Sequence, residues 1–282
     1  LLDARLVLDV DARLGDHIGH AGHSRTSARG AGETGHGPVG GCGESARHTR
    51  PVSIVPAAVT VPTSAGDLPA RLWLPAGGRG PGIVLCQEIF GVSPYIERRA
   101  ADLAALGYAV LAPEFYWRIG ASGVPNGPDM LAEGLALAQR FDWGAGVEDG
   151  AAAYDWLCAR PEVSGPVGLV GFCFGGGLAY NIAAVRAPAL LVSYYGSALP
   201  GLVDSVAVDV PSLHHFGKAD SYIDLPTVER IRAAVAGDDV EFYVYPEADH
   251  AFDNDDFAGY HEEASTIAWA LTEKFLRTYL PA

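Results

Sequence analysis

The stretch PVGLVGFCFGGG, residues 166–177, runs from a continuously apolar segment into a glycine-rich turn and then into a helical pattern. An apolar run of this kind reads as a strand covered on both faces, as in a parallel sheet. Within the turn, Cys173 stands between Phe172 and Phe174, with Gly171 and Gly175 two residues away on either side. This is the G-x-nucleophile-x-G elbow with cysteine in the place usually held by serine. Side chains at 171 and 175 would collide where strand and helix close on each other, so both positions require glycine. The turn pushes the sulfur out of the sheet and places it at a helix N-terminus, where unpaired N–H groups and the helix dipole favour a thiolate.

Working outward, strands and helices alternate. VSIVPAAVTVPT (52–63) and LPARLWLP (68–75), joined by SAGD, predict an antiparallel hairpin at a sheet edge. GIVLCQ (82–87) predicts a buried strand, YIERRAADLAALG (95–107) a helix capped by Gly107, and YAVLAP (108–113) another strand. Helices are expected over Met130 to Gln139 and over Val147 to Ala159, the second stopped by Pro161. After the elbow, the helix runs to about Val185. It is followed by strand ALLVSYYG (189–196), strand SLHHFG (212–217), a helix over Leu225 to Val235, strand VEFYVYP (240–246) and a helix over Ala264 to Tyr279. This order predicts an α/β fold, a mostly parallel central sheet with helices on both faces, as one domain over residues 51–282. Ligands in such sheets bind beyond the carboxyl ends of the strands. A dinucleotide site is disfavoured, because GFCFGG does not align as G-x-G-x-x-G and ALLVSYYG lacks a terminal acid for a ribose.

Residues 1–50 read differently. They hold ten of the 35 glycines and five of the nine histidines and show no sustained periodicity from Gly15 to Arg50, which predicts a poorly structured extension. His17, His20, His23 and His36 lack ligand-like partners apart from the isolated Cys42, so no metal site is expected. Asp3, Asp9 and Asp11 argue against a signal peptide. The six acids and six bases of this segment cancel, so the net charge of -15 belongs to residues 51–282. That surface repels polyanions, and nucleic acid is not an expected partner. No run reaches the roughly 18 apolar residues that cross a bilayer. The four cysteines have no close pairing, which points to a reducing, cytoplasmic setting; a monomer or small homo-oligomer is expected, and the sequence does not fix which.

Downstream of Cys173, His250 follows a strand and a short loop, at the carboxyl end where a base belongs. His214 and His215 lie inside SLHHFG and read as structural, and His261 begins the last helix. Asp220 follows SLHHFG through GKAD and is favoured as the acid that orients His250. Asp224 is better placed to cap the next helix, and Asp249 is too close in sequence to face its neighbour. The order nucleophile, acid, histidine is that of α/β-hydrolases. An oxyanion hole is then expected from the N–H groups of Phe174 and of Ile89, in the loop EIFG after GIVLCQ. No cofactor and no metal are needed for this chemistry.

With these residues in view, the chain resembles the dienelactone hydrolases, or carboxymethylenebutenolidases. The shared segments are QEIFG (87–91), PEFYWR (113–118), GFCFGG (171–176), GKAD (217–220) and DHAF (249–252), and the likeness spans about residues 60–280. The resemblance implies a carboxylic ester hydrolase that opens a carboxylated enol-lactone through an acyl-cysteine, its partner being a small-molecule lactone or ester. It also implies that Glu88 contacts the resting thiol and that Arg118 receives the substrate carboxylate; Tyr116 and Trp117 beside it are candidates to line the substrate or, equally, packing residues. One position departs from the pattern. Asn254 stands where a second carboxylate-binding arginine is expected, flanked by Asp253, Asp255 and Asp256, so a different or neutral ester, lactone or thioester is the alternative substrate.

Overall fold

The computed structural model describes residues 55–282. The expected extension and its histidine tract lie outside the described residues. Eight strands form one sheet in the order β1-β2-β4-β3-β5-β6-β7-β8. The edge hairpin pairs β1 (Ala57–Thr63) with β2 (Gly66–Trp73), and β2 is antiparallel to β4 (Ala109–Pro113). From β4 onward every pairing is parallel, through β3 (Gly80–Cys86), β5 (Val163–Phe172), β6 (Leu191–Tyr194), β7 (Ser212–Gly217) and β8 (Val240–Tyr245). All residues of β3, β4, β6 and β7 are buried, as expected of strands covered by helices. β1 instead mixes exposed and buried positions at the sheet edge.

The flanking helices are α1 (Pro94–Ala105), α2 (Met130–Gln139), α3 (Trp143–Cys158), α4 (Phe174–Arg186), the short α5 (Leu199–Leu202), α6 (Leu225–Val235) and α7 (Glu262–Tyr279). Their starts are written in side chains. Ser93, Asp142 and Asp224 accept hydrogen bonds from the backbone N–H three residues ahead, and Pro94 and Pro226 occupy the first turns of α1 and α6. Asp142 explains why α3 begins four residues before the expected Val147: its cap, with Trp143 Nε1 donating to Asn181 Oδ1 at 3.0 Å, recruits the preceding turn. Neither α5 nor the 3-10 turn Phe115–Ile119 has a sequence period long enough to announce it. Among the described residues no helix is long and apolar enough to cross a membrane.

The elbow is the tightest point of this framework. Cys173 has φ 53° and ψ -117°, a conformation that side-chain-bearing residues rarely adopt. A Cβ on Gly171 would lie 2.1 Å from the Gly175 carbonyl oxygen, and one on Gly175 would lie 2.3 Å from the carbonyl oxygens of both Cys86 and Gln87. Those obstacles are backbone, which cannot swing aside. Gly175→Ala is therefore expected to cost about 3 kcal/mol or more, a fall of roughly 6–12 °C in Tm. Gly127→Ala, where an added Cβ meets nothing within 4 Å, serves as the control. Equal melting temperatures for the two variants would contradict the packing account.

Candidate active site

Five loops at the carboxyl ends of strands converge. Glu88 follows β3, Cys173 follows β5, Tyr195 follows β6, Asp220 follows β7 and His250 follows β8. His250 Nε2 lies 3.1 Å from Cys173 Sγ, and its Nδ1 lies 2.8 Å from Asp220 Oδ2. The second oxygen of Asp220 accepts the backbone N–H groups of Tyr222 and Ile223, both at 2.8 Å, so the carboxylate cannot rotate without losing them. All three residues are buried. Tyr222 and Tyr195 pack on the imidazole, with ring centroids 5.0 and 5.2 Å away, and keep water from it.

The electrostatics follow from this packing. Burial alone would lower the pKa of His250, but the Asp220 carboxylate and the charge on the Cys173 sulfur reverse that and hold it well above the ordinary histidine value. A proton taken from sulfur is thus kept on the imidazole. The other candidates do other work. Asp249 accepts the N–H groups of Ser221 at 2.7 Å and His250 at 2.6 Å, fixing the loop, while Asp224 caps α6. His215 is bonded to Tyr245 and Thr272, and His214 to Ser212. Burial lowers His214 to about 4 and His215 to about 3, so both stay neutral structural groups. His261 caps α7. Cys86 is wholly buried, with its thiol pushed far up by burial.

Glu88 sits deeper than the pair, with no exposed surface. The resemblance implied a contact with the resting thiol. Instead its Oε2 accepts Asn254 Nδ2 at 2.7 Å and its Oε1 lies 3.3 Å from the Tyr195 hydroxyl, while the sulfur faces His250 and, at 3.9 Å, Ser197 Oγ. The cause is local. Asp256 N–H donates to Asn254 Oδ1 at 3.0 Å, which turns the amide N–H toward the carboxyl and draws it aside. Burial raises Glu88 to about 7, against the pull of Asn254, His250 and Tyr195.

The acids around Asn254 are held by two arginines of α1. Asp253 is wholly buried and takes a two-pronged grip from Arg99 at 2.7 and 2.9 Å, whereas Asp255 and Asp256 pair with Arg98. Arg118 is likewise engaged, through Nε at 2.8 Å and Nη2 at 2.7 Å, to the buried carboxylate of Asp149, which also accepts Trp117 Nε1 at 2.7 Å. Tyr116 donates its hydroxyl to the Ile89 carbonyl at 2.9 Å and so pins the loop that carries Ile89. Sequence reasoning missed Tyr195, Ser197 and Asp149. Tyr195 alone had a signal, its place at the carboxyl end of a buried strand. Among the described residues no cluster of His, Cys, Asp and Glu could hold a metal ion.

If Asp220 sustains the charge on the imidazole, Asp220→Asn should slow alkylation of the Cys173 peptide by iodoacetamide below pH 7 by roughly tenfold or more, one pKa unit being tenfold in population. Unchanged alkylation rates, read by peptide mass spectrometry, would contradict that role.

The model of the dienelactone hydrolase family matches residues 68–280. A carboxymethylenebutenolidase from Pseudomonas sp. (strain P51) is 32% identical over 220 residues, covering 77% of this chain and 92% of that protein. One from Pseudomonas putida is 34% identical over 198 residues, covering 69% of this chain and 84% of that protein. A crystal structure of a dienelactone hydrolase-like promiscuous phosphotriesterase from metagenomic libraries matches with a TM-score of 0.65 and 25% identity over 80% of this chain and 98% of the other.

Proposed function

Because the chain belongs to the dienelactone hydrolase family, we propose that it opens a lactone of the dienelactone type, a carboxylated enol-lactone, with carboxymethylenebutenolidase activity. The observation that carries this reading is the line Cys173 Sγ, His250 Nε2, His250 Nδ1, Asp220 Oδ2, with contacts of 3.1 and 2.8 Å. His250 takes the thiol proton, and the thiolate adds to the lactone carbonyl carbon. The negative charge moves to the carbonyl oxygen. Collapse of this tetrahedral species breaks the ring C–O bond, and the imidazolium protonates the leaving oxygen. Water, deprotonated by His250, then attacks the acyl-cysteine and returns the thiol.

We assign the oxyanion to the N–H groups of Phe174 and Ile89. Phe174 opens α4, where a helix leaves its N–H groups without intrahelical partners. Two such backbone donors contribute roughly 3 kcal/mol each. Tyr116 serves by fixing the Ile89 loop, and Trp117 by stacking under Arg118, 4.8 Å from the guanidinium to the ring centre. Arg118 is assigned to the substrate carboxylate through the N–H groups its grip on Asp149 leaves over, since guanidinium carries five. A free thiol nucleophile also suits a reducing, cytoplasmic compartment, and Cys86, Cys158 and Cys173 are all unpaired.

A second reading is favoured by a specific observation. Arg118 is already neutralised by Asp149, and Asn254 brings no charge, so a neutral ester or lactone fits the same machinery. Steady-state hydrolysis of cis- and trans-dienelactone, set against a neutral aryl acetate, decides between them. Cys173→Ala should abolish turnover of every substrate. Arg118→Ala should raise KM for the carboxylated lactone by roughly tenfold, the worth of one charge-assisted contact, and leave the aryl ester unchanged. No turnover of either lactone by folded protein that cleaves the aryl ester would establish the neutral reading, and no turnover of any of them would sink both.

A further inference from the structure

Behind the thiol and imidazole runs a second buried chain that the reaction just described does not use. Glu88 Oε1 lies 3.3 Å from Tyr195 Oη, which lies 3.4 Å from Tyr95 Oη, and Tyr95 donates to Asp253 Oδ2 at 2.5 Å. Asp253 ends the chain as an anion. Its two oxygens meet Nε and Nη2 of Arg99, and Ser265 Oγ donates to Oδ1 at 2.7 Å. Tyr95 and Arg99 come from α1, Tyr195 from the loop after β6, and His250, Asp253 and Asn254 from the loop after β8. These, with the Cys173 sulfur beyond His250, are the charged and titratable groups around Glu88. Tyr95, Tyr195, Glu88 and Asp253 are all buried, so no exposed solvent competes for their protons.

Counting protons along the chain gives it a direction. A phenol has one proton to donate. That of Tyr95 is committed to Asp253, so the Tyr95 oxygen can only accept. That of Tyr195 has two claimants. When Glu88 is ionised, Tyr195 donates to it, and the contact between the two phenols carries no proton. When Glu88 is neutral, its own proton goes to the Tyr195 oxygen and Tyr195 turns to Tyr95. Every donor then has an acceptor, in the order Glu88, Tyr195, Tyr95, Asp253. Asn254 donates to the other carboxyl oxygen in both states. Passing between the states rotates one hydroxyl and exchanges one proton with solvent.

We infer that Tyr95, fixed as an acceptor by Asp253 and Arg99, is a positioning residue that acts through Tyr195 to hold the proton on Glu88. The inference rests on the reading of Cys173 and His250 as the reacting pair. A second anion beside the thiolate and the developing oxyanion, in a site that excludes water, would raise the barrier to attack. Neutral Glu88 is thus the competent form, and activity should fall as pH rises through its titration.

The two phenols play different parts in this chain. Tyr95→Phe removes the acceptor that only the neutral state needs and should lower the Glu88 titration point by about one pH unit, the worth of one hydrogen bond. Tyr195→Phe cuts the link itself, taking hydrogen bonds from both states of Glu88, so Tyr95→Phe added to that variant should shift nothing further. Both substitutions keep the ring packing, and melting temperatures check that both proteins are folded. The readout is the infrared carboxylic-acid band lost in Glu88→Gln, titrated in each variant beside the pH profile of kcat/KM. A downward shift for Tyr95→Phe that vanishes in the Tyr195→Phe background supports the inference. No shift, or the same shift in both backgrounds, overturns it. If the band shifts as expected while the kcat/KM profile stays in place, the proton chain stands and Glu88 has no part in the reaction.

Discussion

The constraint on which everything else depends is the closeness of three backbone segments at the elbow. The end of β3, the end of β5 and the first turn of α4 approach until only hydrogen atoms fit at 171 and 175. That contact forces Cys173 to positive φ and aims its side chain away from the sheet. Without the strain, a cysteine after a buried strand would be one more core residue like Cys86. With it, the sulfur lies at a helix start and within reach of the loops that end β7 and β8. The strain, of order 1–3 kcal/mol for such a residue, is sustained by the parallel sheet, whose buried strands cannot drift apart without exposing their apolar side chains.

Charge in the site is arranged by pairing rather than by exposure. The protein carries a formal charge of -15, and yet each buried carboxylate near the sulfur has a specific partner. Asp220 has His250 and two backbone N–H groups, Asp149 has Arg118 and Trp117, and Asp253 has Arg99, Tyr95 and Ser265. Breaking one such buried pair leaves an uncompensated charge. Glu88 is the exception, since its neighbours Asn254 and Tyr195 are uncharged, and burial moves its titration to about 7. It is therefore a carboxyl whose charge can change near neutral pH.

Much of this was legible in the amino-acid order. The strands and most helices announced themselves because buried parallel strands are continuous apolar runs and helix ends are marked by Gly, Pro and Asp. The elbow was legible because its glycines answer a local steric demand. Partnerships across the fold were not. In sequence, Asp253, Asp255 and Asp256 look like a patch that would repel an anion; Arg98 and Arg99, which pair with them, lie more than 150 residues earlier on α1. Arg118 reads as a free cation until α3 brings Asp149 to it. The position of Glu88 depends on which way the Asn254 amide turns, and a single backbone N–H, that of Asp256, decides it.

The central claim is that Cys173 becomes acylated during turnover. Its most direct test is rapid mixing of the protein with an activated ester, acid quench, and mass spectrometry of the intact chain and its peptides. The account predicts a transient mass increase of one acyl group, located on the peptide that contains Cys173 and disappearing as product accumulates. Turnover with the acyl group found on another residue, or with Cys173 never modified, would contradict it.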